Sequence, residues 1–201
     1  MVYSQGSDSI RVNSKVIYPE KISATCFNSI KYTFPTVADT IPIDKTQVKI
    51  FTDSMQIKTK AGILSFINHE CGGESSLVYR YINTFSWINY VHLRAYYWES
   101  TEDFLINVTN GNLTKICSEP LFSPNRRLAF AFTSGDDLQM ELFKVANGEI
   151  LQVFSTNYSP DYNFEIYAAK WESEDRIVLK IIRYPYNNSD PYDYVRLMID
   201  I

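Results

Sequence analysis

Apolar and polar residues alternate along most of the chain, and the three-to-four spacing of an amphipathic helix is much rarer. The pattern therefore predicts a mainly antiparallel, all-β protein. The run DFLINVTNGNLTKIC supplies two strands, Phe104–Thr109 and Leu113–Cys117, on either side of Asn110-Gly111, a pair suited to the positive backbone angles of a two-residue hairpin turn. The same device recurs in LFKVANGEILQVF, where Asn147-Gly148 separates Leu142–Ala146 from Ile150–Phe154. Upstream, VKIFTDSMQIKTKAGILSFI reads as a meander of Val48–Thr52, Met55–Thr59 and Ile63–Ile67, turning at Asp53-Ser54 and Ala61-Gly62. Glu74–His92 has two readings. Leu77, Tyr81, Phe85 and Ile88 would share a helical face, but the density of Tyr, Val, Ile and Thr favours strand.

Self-similarity organises these strands into larger units. WESTEDFLINV, starting at Trp98, aligns with WESEDRIVLKI, starting at Trp171, and FSPNRRLAFAF, starting at Phe122, has the same order of aromatic, polar turn and alternating strand. The two tryptophan-led segments are thus expected to be equivalent rungs of one β framework. One four-strand unit runs from Pro120 to Phe154: a strand ending at Phe122, then Arg127–Thr133, Leu138–Ala146 and Glu149–Phe154. The unit before it contains Tyr90–Trp98, Phe104–Thr109 and Leu113–Cys117, with a first strand in Leu77–Ile82. The unit after it has Glu165–Trp171, Arg176–Arg183 and Tyr194–Ile201, with the polar loop YPYNNSDPYD between the last two, and it lacks a fourth strand. Ile10–Tyr18 is the segment available to donate one.

Within LFSPNRRLAFAF, Pro124 presets the turn angle and Asn125 tolerates the bend. This segment resembles the blade signature of TolB-like and WD-repeat β-propellers, with one good copy at Phe122–Phe132 and a degraded one at Trp171. No Trp-Asp dipeptide ends a strand and no Gly-His pair opens a blade. The resemblance implies an incomplete or small propeller-like arrangement over residues 77–201. Two sheets packed as a β-sandwich account for the same strands. The chain is read as a single all-β domain, 1–201, with a sub-boundary near 35–45, where FPTVADTIPIDK carries Pro35 and Pro42.

Composition narrows the partners. With Lys+Arg 19 against Asp+Glu 23 the net charge is −4, so no basic excess is present to neutralise a phosphate backbone, and nucleic acid is not an expected partner. No run approaches the roughly 18–20 apolar residues of a membrane-spanning helix. Cys26, Cys71 and Cys117 allow at most one internal disulfide, leaving open three free thiols in a reducing compartment or one bridge and a spare thiol in an oxidising one. Met1–Ser9 is polar and shows no apolar signal region, so the cytoplasm is the default expectation, with periplasm or secretion for a chain already trimmed.

Catalytic chemistry finds little footing. Only His69 and His92 are available for acid–base work. In NHECGGES, His69 and Cys71 supply two of the four ligands of a structural zinc, and a loop is the expected reading. Gly-x-Ser-x-Gly elbows and glycine-rich phosphate loops do not occur. No catalytic residue, metal ligand or cofactor is therefore expected. Acidic groups at Glu99, Glu102 and Asp103, at Glu172, Glu174 and Asp175, and at Asp136-Asp137 read as solvated turns, with a cation site or a glycosidase-type pair as the alternative.

Aromatic residues, 15% of the chain, are the distinctive feature. Tyr79, Tyr81, Phe85, Trp87, Tyr90, Tyr96, Tyr97 and Trp98 crowd one stretch, and Tyr184, Tyr186, Tyr192 and Tyr194 surround the C-terminal loop. Most are expected in the core; the binding candidates are Tyr96, Trp98, Glu99, Tyr184, Tyr186 and Tyr192. The expected function is a non-enzymatic protein-binding module, an inhibitor or immunity-type protein blocking a basic partner. The alternatives are a carbohydrate-binding or glycoside-processing module, and a structural subunit assembling through strand edges at Ile10–Tyr18 or Tyr194–Ile201.

Overall fold

The computed structural model describes residues 10–12, 15–30, 46–70, 72–134, 138–157, 164–183 and 191–200. In chain order these form β1 (Ile10–Val12), β2 (Lys15–Lys21), α1 (Ala24–Ser29), β3 (Val48–Ile50), β4 (Ser54–Thr59), β5 (Gly62–Ile67), β6 (Leu77–Phe85) and β7 (Tyr90–Tyr97). There follow β8 (Thr101–Asn107), β9 (Leu113–Ile116), β10 (Leu121–Phe122), β11 (Leu128–Phe132), β12 (Gln139–Ala146), β13 (Glu149–Asn157), β14 (Phe164–Trp171), β15 (Arg176–Arg183) and β16 (Tyr192–Ile199). The strands make four antiparallel sheets, and among the described residues no sheet closes into a barrel or propeller. The one α-helix among them is far too short to cross a membrane.

The chain divides into two compact units, one of Met1–Thr33, Pro120–Val145 and Leu151–Ile201, the other of Phe34–Glu119 and Ala146–Ile150. The 35–45 stretch expected to mark a boundary lies outside the described residues.

In the second unit, the sheet β3-β4-β5 packs on the sheet β6-β7-β8-β9. Alternation explains it: along β4, Met55, Ile57 and Thr59 are buried while Lys58 is exposed. Met55 and Ile57 meet Val48, Val91, Leu93, Ile106 and Val108, with Leu64, Phe66, Tyr79, Tyr81 and Phe104 closing the core. Glu74–His92 resolves as strands, with β6 and β7 joined by a single 3-10 turn at Ser86–Ile88 and by Asn89 in the left-handed region.

In the first unit, one sheet has the order β1-β2-β16-β15-β14 and a second the order β10-β11-β12-β13. β2 lies antiparallel to β16 through Ile17–Lys21, so a strand does join β14, β15 and β16 from the N-terminal part of the chain, but it lies further along than the expected Ile10–Tyr18, and Ile10–Val12 forms the separate outer strand β1. Because β16 sits between β15 and β2, Tyr194–Ile201 is not the free edge it was expected to be; β1 and β14 are the edges of this sheet. Ile177, Val178 and Leu179 are buried in succession, which requires both faces of β15 to be covered. On one of those faces α1 lays Phe27 against Val178 and Tyr194.

Two local expectations fail for identifiable reasons, and one short element stands outside the strand pattern. The helix α1 breaks the all-strand pattern: Ser23 caps it, its Oγ accepting from the Cys26 N–H, 3.1 Å. Asn110-Gly111 does not form a two-residue turn. The Asn107 carboxamide accepts from the Thr109 amide, and the Asn110 carboxamide from that of Asn112, which widens the connection to residues 108–112. Asn147-Gly148, without such competing side chains, takes the paired positive angles of +55° and +75° that a tight hairpin needs. Trp171 is the last residue of β14 and Trp98 the first after β7, each before a short polar turn, yet their environments differ: Trp98 is 59% exposed and Trp171 only 5%. They are not equivalent rungs.

Candidate functional site

A cleft of about 440 Å³ in the first unit is lined by Asn125, Arg127, Leu128 and Lys144 from the β10–β12 sheet and by Ser173, Glu174, Asp175 and Ile199 from the β14–β16 sheet. It gathers two of the turns that the sequence repeat singled out. Each is rigid. In the first, buried Ser123 donates its hydroxyl to Asn125 Oδ1 (2.8 Å) and accepts from the Leu128 amide (3.0 Å), while Asn125 Oδ1 also accepts from the Arg127 amide (3.0 Å). Pro124 leads into this turn, whose Arg126 adopts a positive φ of +60°. In the second, the Ser173 hydroxyl donates to Asp175 Oδ1 (2.8 Å), and the Asp175 carbonyl accepts from the Ile199 amide (2.8 Å). One indole holds the two turns in register: Trp171 Nε1 donates to the Leu121 carbonyl, 2.7 Å.

Below the second turn, Glu172 is tied up. Its carboxylate receives Arg196 Nε and Nη2, each at 2.6 Å, and Arg196 Nη1 reaches Glu20 Oε2 at 2.7 Å. These bonds raise the pKa of Arg196 further, first through Glu172 and then through Glu20. Arg196 Nη2 also contacts Cys26 Sγ, at 3.5 Å, which links the network to α1. The lining groups differ: among the described residues the Arg127 and Lys144 cations and the Glu174 carboxylate have no ion-pair partner, and all three are exposed. Asp175 has the Ser173 hydroxyl and a long contact to Arg176, 4.0 Å. Leu128 and Ile199 form an apolar floor. The cleft thus presents positive and negative groups around a small apolar surface.

The second unit holds a different polar cluster. His92 is fully buried, its Nε2 donating to Asp103 Oδ1 at 2.5 Å, while Arg94 Nε bonds both oxygens of Asp103 at 2.9 and 3.1 Å. Burial pushes the Asp103 carboxyl up, but the bonds from His92 and Arg94 outweigh it and hold the group below the usual carboxylate range. His92 Nδ1 is buried with no hydrogen-bond partner among the described residues. Glu102, on the opposite face of β8, pairs with Lys115 and accepts from the Tyr97 hydroxyl, whose pKa is pushed up to about 12 by burial and by that bond. Glu102 and Asp103 therefore belong to a strand, not to the solvated turn expected of them; their cross-strand partners make the charges tolerable there.

Of the sequence candidates, Tyr96, Trp98 and Glu99 lie together at the β7–β8 hairpin of the second unit. Tyr96 is half-buried under the Arg80 guanidinium, 5.1 Å from its centroid, and Trp98 and Glu99 are exposed. Tyr192 opens β16 in the first unit, where Lys180 Nζ stands 3.5 Å from its ring centroid and 4.7 Å from that of Tyr167. Tyr167 occupies a bulge in β14 that turns its ring outward. Tyr184, Tyr186, Asp136, Asp137 and Cys71 lie outside the described residues. His69 is exposed and pairs through its backbone with Leu77. Among the described residues no three His, Cys, Asp or Glu side chains are grouped as metal ligands. Arg127 and Lys144 escaped the sequence reading. The Arg126-Arg127 pair directly after the Ser-Pro-Asn turn was the available signal, whereas Lys144 reaches the cleft only because it pairs with Leu128 across the ladder. No family model matches the chain, and no curated protein or solved structure is detectably similar to it.

Proposed function

We propose that this chain is a non-enzymatic binding module that recognises a protein partner through the charged cleft of its first unit. The observation that carries the reading is the set of Arg127, Lys144 and Glu174 side chains, without ion-pair partners among the described residues, around Leu128 and Ile199, beside a Glu172 whose two carboxylate oxygens bond Arg196. Charges carried by hydrogen-bonded turns and by a paired strand have their backbones already placed, and they discriminate among partners by charge placement, although the Arg and Lys side chains themselves lose rotamer freedom on binding. A net charge of −4 favours encounter with a basic partner. Within the cleft the cations would face the partner's acidic groups and Glu174 and Asp175 its basic ones.

The test compares wild type with the double variant Arg127→Glu/Lys144→Glu as bait, followed by cross-linking mass spectrometry. The reading expects a partner that is retained by wild type, depleted at least about tenfold by a variant lacking two interfacial charges, and cross-linked next to the two turns. Equal capture by both baits, or cross-links confined to the second unit, would overturn it.

A further inference from the structure

The strand β5 ends its sheet, with β4 on one side and no strand beside it on the other among the described residues. Its sequence, GILSFI, has no charge and no proline, the devices that normally blunt an exposed edge. Hydrogen bonding fixes which backbone groups face that edge. The Lys58 amide bonds the Gln47 carbonyl and the Asn68 amide bonds the Asp53 carbonyl. Residues 54, 56 and 58 therefore turn their backbone groups toward β3, residues 55, 57 and 59 toward β5, and the N–H and C=O groups of Ile63, Ser65 and Ile67 point outward. The side chains of these same three residues are solvent-exposed, Ile63 at 64% and Ile67 at 56%. Beyond Ile67 the edge is closed, because His69 pairs with Leu77.

We propose that β5 is a pairing surface for a second copy of this chain, joined antiparallel about a twofold axis through Ser65. The outward residues read Ile-Ser-Ile in either direction, so a twofold places Ile63 opposite the other copy's Ile67 and Ser65 opposite its counterpart. Each of these pairs exchanges both backbone hydrogen bonds, and Leu64 meets the other copy's Phe66 on the inner face. With no charge in the strand, the pairing meets no like-charge repulsion. The two three-stranded sheets become one of six strands, and the exposed isoleucines cover one another.

Multi-angle light scattering on the full chain is expected to give twice the 23.3 kDa chain mass, falling to the single-chain mass on dilution. Ile63→Lys/Ile67→Lys is expected to stay monomeric with an unchanged circular dichroism spectrum. Ser65→Cys is expected to form a covalent dimer on oxidation, since hydrogen-bonded antiparallel partners place their Cα atoms about 5.5 Å apart, within disulfide reach. Ile63→Cys, which faces residue 67, is not. A single-chain mass at every concentration, or a dimer that Ser65→Cys fails to cross-link or Ile63→Cys cross-links equally well, overturns the proposal. Because β5 lies in the second unit, the cleft reading survives that result.

Discussion

Replacing Asp103 with asparagine isolates the polar cluster of the second unit. The carboxylate is 3% exposed and accepts from His92 and, through both oxygens, from Arg94, so the substitution keeps the volume while removing the charge that neutralises the guanidinium. Breaking a fully buried ion pair costs about 3–5 kcal/mol. Arg94 keeps 29% of its side chain in solvent, where water screens the orphaned charge, so the expected loss is smaller, about 2–3 kcal/mol at pH 7. For a chain of this size that lowers Tm by roughly 4–12 °C. The pH dependence has a definite sign. The bonds hold the folded carboxyl below its unfolded value, so its stabilisation is fully present only well above the unfolded value, from about pH 5, and disappears as pH falls through the folded one. Urea melts of wild type and Asp103→Asn at pH 7 and at pH 3 should therefore show a gap that narrows in acid. A gap under about 0.5 kcal/mol at pH 7, or one that stays constant to pH 3, would refute the assignment of the low pKa to these two bonds.

Two further outcomes follow from the geometry. Arg196→Met removes the pairs to Glu172 and Glu20, whose side chains are 22% and 54% exposed, and should cost about 1–2 kcal/mol; hydrogen exchange should show reduced amide protection in β2, and unchanged protection there would mean that Arg196 does not anchor it. Asn147→Ala forces alanine to a φ of +55° and should cost about 1 kcal/mol, whereas Asn147→Gly should be close to neutral in the same chemical melts.

The strands were legible wherever a local pattern decided them. Arg176–Arg183 could be read to the residue because an apolar run interrupted only by Lys180 and flanked by arginines has few other solutions, and Asn147-Gly148 because the turn needs nothing beyond its own two residues. What escaped depended on distant partners. Thr101–Asp103 looked like a turn since its carboxylates are hydrogen-bonded by His92, Arg94 and Lys115, each on another strand. The unlike fates of Trp98 and Trp171 turn on a carbonyl, that of Leu121, fifty residues away from the second indole. The same logic governs the cleft: Asn125, Glu174 and Asp175 were visible as turn residues, but only the fold brings the two turns together.

The pairing of β2 with β16 sets an order of events during synthesis. Glu20 and Arg196 are separated by 176 residues, so β2 has no neighbour on its β16 side until that length of chain has followed it from the ribosome. Nearly all of the second unit is one contiguous stretch, Phe34–Glu119, and can collapse while the first is still waiting. Closing so long a loop late is slow, and it leaves β2 as the segment most in need of shelter in the nascent chain.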